Sequence, residues 1–316
     1  MTTILVTGGA GAIGSSLVKA LSREHQVLVL DDLSSGWIEN LRGLPVKFWR
    51  GSVTDDEILR EVFAASPEIV YHLAANFANQ NSFDYPQKDL LVNGLGTLKV
   101  LQYAREAGVR RFIYTSSSCV YGNISEPIGE DSHQFSLDTP YAVTKLLGEQ
   151  YVNFFHQHHA LPTVIFRLFN SYGPGEYPGK YRNVIPNFMF RAMQGEPLLI
   201  TGSGGETRDY CFIEDTVAAL TLAVSRPKAV GRTFNVGTGI ETPIQELAER
   251  IRELCNPGIS IVFQERRVWD SISRRCADIS LIRETLGFTP RVDLQTGLAR
   301  TYQWFTENRV AEFRPL

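Results

Sequence analysis

ILVTGGAGAIG, residues 4–14, decides the fold of this chain. Its first half is a short β-rich apolar run, and its second half places Gly8, Gly11 and Gly14 directly before an amphipathic stretch. A strand that ends in spaced glycines and opens a helix brings backbone amides to the positive helix end, where a pyrophosphate can be held. A lone glycine pattern is weak evidence. Here the next strand, QVLVLDD (26–32), also ends in an acid. Asp31 is therefore placed to hold adenosine ribose hydroxyls and to repel a 2′-phosphate, favouring NAD over NADP, with Asp32 as the adjacent alternative.

Further runs of the same kind come later: VKFWRG (46–51), EIVYHLAA (68–75), RFIYTSS (111–117) and TVIFRLFN (163–170). Helical patterns separate them at 15–22, 56–65, 88–107 and 141–156, the last with Thr139 as N-cap and Pro140 at its first position. Continuous apolar runs alternating with amphipathic helices predict parallel strands buried on both faces. The expected class is α/β, a Rossmann-type doubly wound parallel sheet with right-handed crossovers. After Asn170 the texture turns Gly- and Pro-rich, in SYGPGEYPGKYRN and LLITGSGGETRDY, with helices expected at 215–225 and 244–254. We therefore expect an NAD-binding domain over 1–170 with a returning segment near 208–241. A smaller α/β C-terminal domain for substrate is expected over 171–207 and 242–316.

The 316 residues, 43 % of them hydrophobic, suffice for a sizeable core. A formal net charge of −3 and the lack of a long Lys/Arg run predict neither nucleic-acid nor membrane binding. No stretch approaches the roughly 20 apolar residues of a membrane span, and a cytoplasmic location is expected. Cys119, Cys211, Cys255 and Cys276 are widely spaced, which fits reduced thiols better than disulfides or zinc.

The run TPYAVTK places Tyr141 and Lys145 four residues apart, on one face of a helix's first turns. A free phenol, with a pKa of about 10, is a poor base at neutral pH, but a nearby ammonium and a cationic nicotinamide ring both favour phenolate. An isolated Tyr/Lys pair would be an ordinary surface pair. TSSSCVYG, at the end of a strand, adds Ser117 as a hydroxyl partner for the same substrate oxygen and points to catalysis.

With these elements in this order, the chain resembles the extended short-chain dehydrogenase/reductase family, and more narrowly its nucleotide-sugar epimerase and dehydratase branch. The likeness covers nearly the whole length and includes TGGAGAIG, HLAA, Asn93, the serine run, YAVTK, RLFNSYGPG, RNVIPNF, TRDYCFIED and CADIS. It implies an enzyme in which a tightly held NAD takes hydride from a sugar carbon while Tyr141 takes the hydroxyl proton, giving a keto intermediate, with Ser117 and Lys145 as catalytic partners. It further implies cofactor contacts at Ala12, Ile13, Ser52, Val53, Leu73, Ala74, Ala75 and Asn93. At Ser52 the family usually has Asp, and this departure is expected to weaken cofactor retention.

Beyond the keto step the branches diverge. The resemblance implies Asp-Glu after the serine in dehydratases and Glu in uronate decarboxylases, whereas this chain has Ser118 and Cys119. With no carboxylate to protonate a leaving hydroxyl, 4-epimerisation of a UDP-hexose type of substrate is the leading expectation. A UDP-uronate 4-epimerase, a GDP-mannose-type 3,5-epimerase and a 4,6-dehydratase are the enzymatic alternatives, and an NAD-binding regulatory protein the non-enzymatic one. GDP-mannose 3,5-epimerases carry an acid/base cysteine beside a lysine. Cys119 stands at the former place, as a possible acid/base or a small buried thiol, while Val184 occupies the latter with Lys180 nearby.

The family likeness assigns Ser118, Asn170, Asn183 and Arg208 to the nucleotide sugar, and forked arginine donors suit its phosphates. A second phosphate arginine is expected at Arg267 or Arg274. Arg275 aligns with the position that governs room for an N-acetyl group, suggesting either exclusion of N-acetyl sugars or recognition of a uronate carboxylate. His156, His158 and His159 read as a solvated helix end, with no metal, and His72 as a packing residue. Leu91, Leu95, Leu98 and Leu101 form a stripe for core or interface, and the resemblance implies a homodimer.

Overall fold

The computed structural model describes residues 1–124, 127–132, 136–267, 270 and 272–312. The six apolar runs of the first half become β1 (Thr3–Thr7), β2 (Gln26–Asp31), β3 (Val46–Arg50), β4 (Ile69–His72), β5 (Arg111–Ser117) and β6 (Thr163–Leu168). Short strands succeed them: β7 (Ser171–Tyr172), β8 (Leu198–Thr201), β9 (Thr207–Asp209), β10 (Cys211–Phe212), β11 (Arg232–Val236), β12 (Glu241–Pro243) and β13 (Ile261–Gln264). A seven-stranded sheet runs β11-β6-β5-β4-β1-β2-β3, and all its pairings are parallel. This is the doubly wound Rossmann-type arrangement the apolar runs predicted. The order reverses between β1 and β4, so the loops at their carboxyl ends diverge and leave a crevice for a ligand.

Both faces of the sheet are buried because successive side chains point to opposite sides. Ile4, Val6, Val27, Val29 and Ile113 meet Leu17 and Val18 of α1 (Ala12–Leu21) and Val217 and Leu220 of α8 (Ile213–Ser225). Leu5, Leu28, Leu30 and Phe112 meet α2 (Asp56–Phe63), α5 (Thr97–Glu106) and α6 (Pro140–His159). A third cluster, around Phe188, Met189, Leu247, Ile251, Leu298 and Phe305, joins α7 (Val184–Met193), α9 (Ile244–Cys255) and α11 (Leu294–Glu307).

The helix expected over 88–107 is broken into α4 (Pro86–Asp89), a π-helical stretch (Leu90–Gly96) and α5. Hydrogen bonds spanning five residues instead of four shift the phase of the side chains, and the leucine stripe splits with it. Leu91 and Leu95 are exposed while Leu101 is buried. α3 (Asn79–Asp84), α7, α10 (Ser280–Leu286) and α11 were not anticipated.

Candidate active site

One cavity of about 310 Å³ opens along the carboxyl ends of the main strands. Gly8, with φ +72°, turns the chain out of β1, and a Cβ there would lie 2.7 Å from the amide nitrogen of Ala74. A Cβ on Gly14 would lie 2.1 Å from the Gly8 carbonyl oxygen, so the helix can start against the loop only with glycine. The start of α1 thus faces the cavity, lined by Gly11, Ala12, Ile13 and Gly14. This is a cradle for a pyrophosphate.

Asp31 is buried at the end of β2, where its carboxylate accepts from the amides of Ala10 at 2.9 Å and Leu33 at 2.8 Å. Burial raises its pKa and the two amide donors oppose that rise. Asp32 is exposed and accepts from Ser34 N at 2.9 Å, so Asp31 is the acid whose orientation the fold fixes. Val53, Leu73, Ala74 and Ala75 also line the cavity, as does Ser52, whose hydroxyl accepts from Thr54 N at 3.2 Å and shapes the turn.

Asn93 lies elsewhere than expected. The π-helical stretch carries it behind the cavity wall, 1 % exposed, where Oδ1 accepts from Asn76 N at 2.8 Å and Nδ2 donates to Asp89 at 2.9 Å. It supports the loop at Asn76, which does line the cavity.

At the other end, Ser117 terminates β5 and its Oγ accepts from Cys119 N at 3.2 Å. Thr139 caps α6 by accepting from Ala142 N at 3.3 Å, Pro140 occupies the first position, and Tyr141 comes next. Lys145, one turn on, donates to the Thr115 carbonyl at 2.9 Å, with Nζ 5.8 Å from the Tyr141 ring centroid. Burial drives the Lys145 pKa down to about 8 against the pull of Asp89 and Glu149. Burial likewise pushes the Tyr141 phenol well above its ordinary value, helped by Cys119 and Asp89, while a hydrogen bond with Ser117 works the other way. In the protein alone the phenol is neutral. Burial outweighs the nearby ammonium here, so the acidity expected from the sequence calls for the cationic nicotinamide ring as well.

Cys119 lines the cavity instead of packing behind Ser117; Asn79 Nδ2 lies 3.6 Å from its Sγ. Lys180 pairs with Asp84 at 3.0 Å on the surface. His72 is fully buried between the hydroxyls of Thr7 at 2.7 Å and Thr97 at 2.9 Å, and burial with the Lys145 charge lowers its pKa to about 3. It is a neutral packing residue, as expected.

Ser118, Asn170, Asn183 and Arg208 also line the cavity. Asn170 donates to the Asp209 carbonyl at 3.1 Å and Asn183 to Glu176 at 2.9 Å. Burial raises Glu176 to about 7 against Arg182 and Asn183. Arg208 pairs with Asp270 at 3.4 Å. Neither Arg267 nor Arg274 lines the cavity. Arg267 is exposed, and Arg274 points outward to grip Glu241 through contacts of 3.0 and 2.5 Å. Side chains alternate along extended backbone, so the inward residue is Arg275, 5 % exposed, donating to the Gly122 carbonyl at 2.6 Å. Val268, Trp269 and Ser271 of this segment lie outside the described residues.

Sequence reasoning missed Arg182, Glu176, Phe77 and Asp270 in the lining. Arg182 stands beside Asn183 and reaches the Ser35 carbonyl, tying the glycine-rich loop across to the end of β2. Its adjacency to Asn183 was the available signal. Among the described residues no cluster of His, Cys, Asp and Glu is placed to hold a metal, and all four cysteines are free thiols. No described helix is long and apolar enough to cross a membrane.

Residues 4–237 match the profile of the NAD dependent epimerase/dehydratase family. A UDP-glucose 4-epimerase of Mycolicibacterium smegmatis is 37 % identical over 95 % of this chain and 97 % of that protein. An epimerase of the thermophilic methanogen Methanothermobacter thermautotrophicus superposes with a TM-score of 0.98 at 47 % identity, covering 100 % of this chain and 96 % of the other. A Thermus thermophilus UDP-glucose 4-epimerase, solved with NAD, gives a TM-score of 0.90 at 30 % identity over 96 % of this chain and 99 % of that one.

Proposed function

The chain belongs to the NAD dependent epimerase/dehydratase family and is an NAD-dependent nucleotide-sugar epimerase, and from that premise we propose that it inverts C4 of a UDP-hexose. The convergence of Ser117, Tyr141 and Lys145 at one end of a cavity whose other end is the glycine cradle carries this reading.

The residues present suit NAD. The cradle at Gly8, Gly11 and Gly14 would hold the pyrophosphate, Asp31 the adenosine ribose, and Lys145 the nicotinamide ribose, all of them lining the one cavity. When bound, NAD supplies the hydride acceptor and donor for C4 and a positive ring beside the phenol. Tyr141 takes the C4 hydroxyl proton as the carbon is oxidised, and returns it to the oxygen once the keto sugar has turned its other face. Ser117 hydrogen-bonds the same oxygen throughout and Lys145 holds positive charge near the phenolate. Arg208, Asn170 and Asn183 hold the diphosphate so that only the sugar need rotate. The turn Ser118–Tyr121 contributes no carboxylate, which speaks for epimerisation against loss of water.

We read the protein as a cytoplasmic homodimer. Leu90, Leu91, Leu95, Val143 and Phe154 are exposed apolar residues on the π-helical stretch and α6, whose faces a second copy would cover.

The test is incubation with UDP-, GDP-, dTDP- and CDP-hexoses in deuterated water, with products read by NMR and mass. Inversion at C4 of the UDP sugar with unchanged mass is expected. Deuterium uptake at C3 or C5, or loss of water, would overturn it.

A further inference from the structure

Near the sheet's carboxyl edge Arg167 is partly buried and Arg275 fully so, and they differ in how their charge is answered. Arg167 grips Glu149 through bonds of 2.9 and 2.7 Å and donates again to the Glu130 carbonyl and the Tyr121 hydroxyl. Arg275 has no carboxylate within ion-pair distance among the described residues. Its described partners are the Gly122 carbonyl at 2.6 Å and Cys119, and its Nε is buried without a partner. The nearest acid, Asp270, is engaged by Arg208. Desolvation lowers the Arg275 pKa, the mark of a cation whose hydration has been stripped without full replacement.

A buried guanidinium is normally retained with an anion beside it. Here the side chain lines the cavity, so the missing anion belongs to a ligand. The neighbours decide which part of the ligand carries it. Arg275 touches Cys119, two residues beyond Ser117, and also feels the charge of Arg208; on the reading that Arg208, Asn170 and Asn183 hold the diphosphate, Arg275 stands on the side of them turned toward the serine, where the sugar would lie.

We propose that Arg275 binds a carboxylate carried by the hexose ring, making a nucleotide-activated hexuronate the substrate class. This rests on reading the cavity as a nucleotide-sugar site. A planar carboxylate offers two acceptor oxygens to the guanidinium fork, including the donor at Nε that the protein leaves unpaired. A neutral hydroxymethyl group in its place satisfies a hydrogen bond and leaves the charge unanswered, which is the basis of discrimination.

The test uses the NAD-loaded protein and three probes, UDP, UDP-glucose and UDP-glucuronate, with binding measured by calorimetry and C4 inversion by NMR. UDP-glucuronate should bind at least about tenfold more tightly than UDP-glucose. Arg275→Met should weaken the uronate about a hundredfold while moving UDP itself less than about twofold, and Arg275→Lys should recover part of the difference. Retained UDP affinity shows that the variants are folded. Equal loss for all three probes would assign Arg275 to the diphosphate, and equal affinity of the unaltered protein for the two sugars would remove the carboxylate; either overturns the proposal. Preferential uronate binding without inversion of any sugar would uphold this inference and reject the C4 reading.

Discussion

The Lys145 ammonium is fastened 2.9 Å from the carbonyl oxygen of Thr115, one strand position before Ser116 and two before Ser117. The end of β5 thus supplies both the serine and the anchor that stops the lysine from wandering. Because that anchor is neutral, the ammonium keeps its charge available for the phenol and the cofactor ribose. Burial sets its acidity.

The same burial makes stability depend on pH. With Lys145 lowered from 10.5 to about 8, the folded chain binds fewer protons than the unfolded chain between those values. Its destabilising contribution is full below pH 8 and is relieved as pH rises toward 10.5. The resonance of 13C-methylated Lys145 in the cofactor-free protein should titrate near pH 8. A midpoint at the ordinary lysine value would show that the ammonium is solvated.

Asp89 is expected to tune that midpoint without touching the cavity. It is fully buried behind α6, accepting from Thr144 at 2.5 Å and Asn93 at 2.9 Å, and its charge is the largest influence holding Lys145 up. Asp89→Asn should shift the Lys145 titration to lower pH while far-UV dichroism stays native. An unchanged midpoint would mean that Asp89 is neutral in the fold.

Tyr141→Phe keeps the ring and deletes the proton carrier. The rate of C4 inversion should fall by about 10² to 10⁴, with NAD still bound, because the cradle lies at the opposite end of the cavity. Turnover within a few-fold of the unaltered protein would remove Tyr141 from its role.

The parallel sheet was legible because strands buried on both faces read as unbroken apolar runs, RFIYTSS and TVIFRLFN among them. Positions set by backbone phase were not. The π-helical stretch turns Asn93 away from the cavity although its sequence reads as ordinary helix. In the segment before Cys276, adjacent arginines carry no apolar alternation, so nothing in the sequence marks Arg274 as outward and Arg275 as inward. α7, which the sequence did not lead us to expect, accommodates Pro186 in its first turn, where the missing amide has no partner to lose. The meeting of Ser117, Tyr141 and Lys145 in one cavity was readable because helix spacing and a strand terminus fix all three by local geometry.

The outward placement of Arg274 can be tested against Arg208. Arg274 is half-exposed and grips Glu241, an exchange that surface pairs repay with about 1 kcal/mol or less. Arg274→Ala should therefore leave UDP affinity unchanged in calorimetry and lower stability only slightly in urea. Arg208 lines the cavity, and Arg208→Ala should cost about 2 kcal/mol of UDP affinity, the scale of a charged hydrogen bond to phosphate. Reversed outcomes would make Arg274, and not Arg208, the arginine that holds the diphosphate.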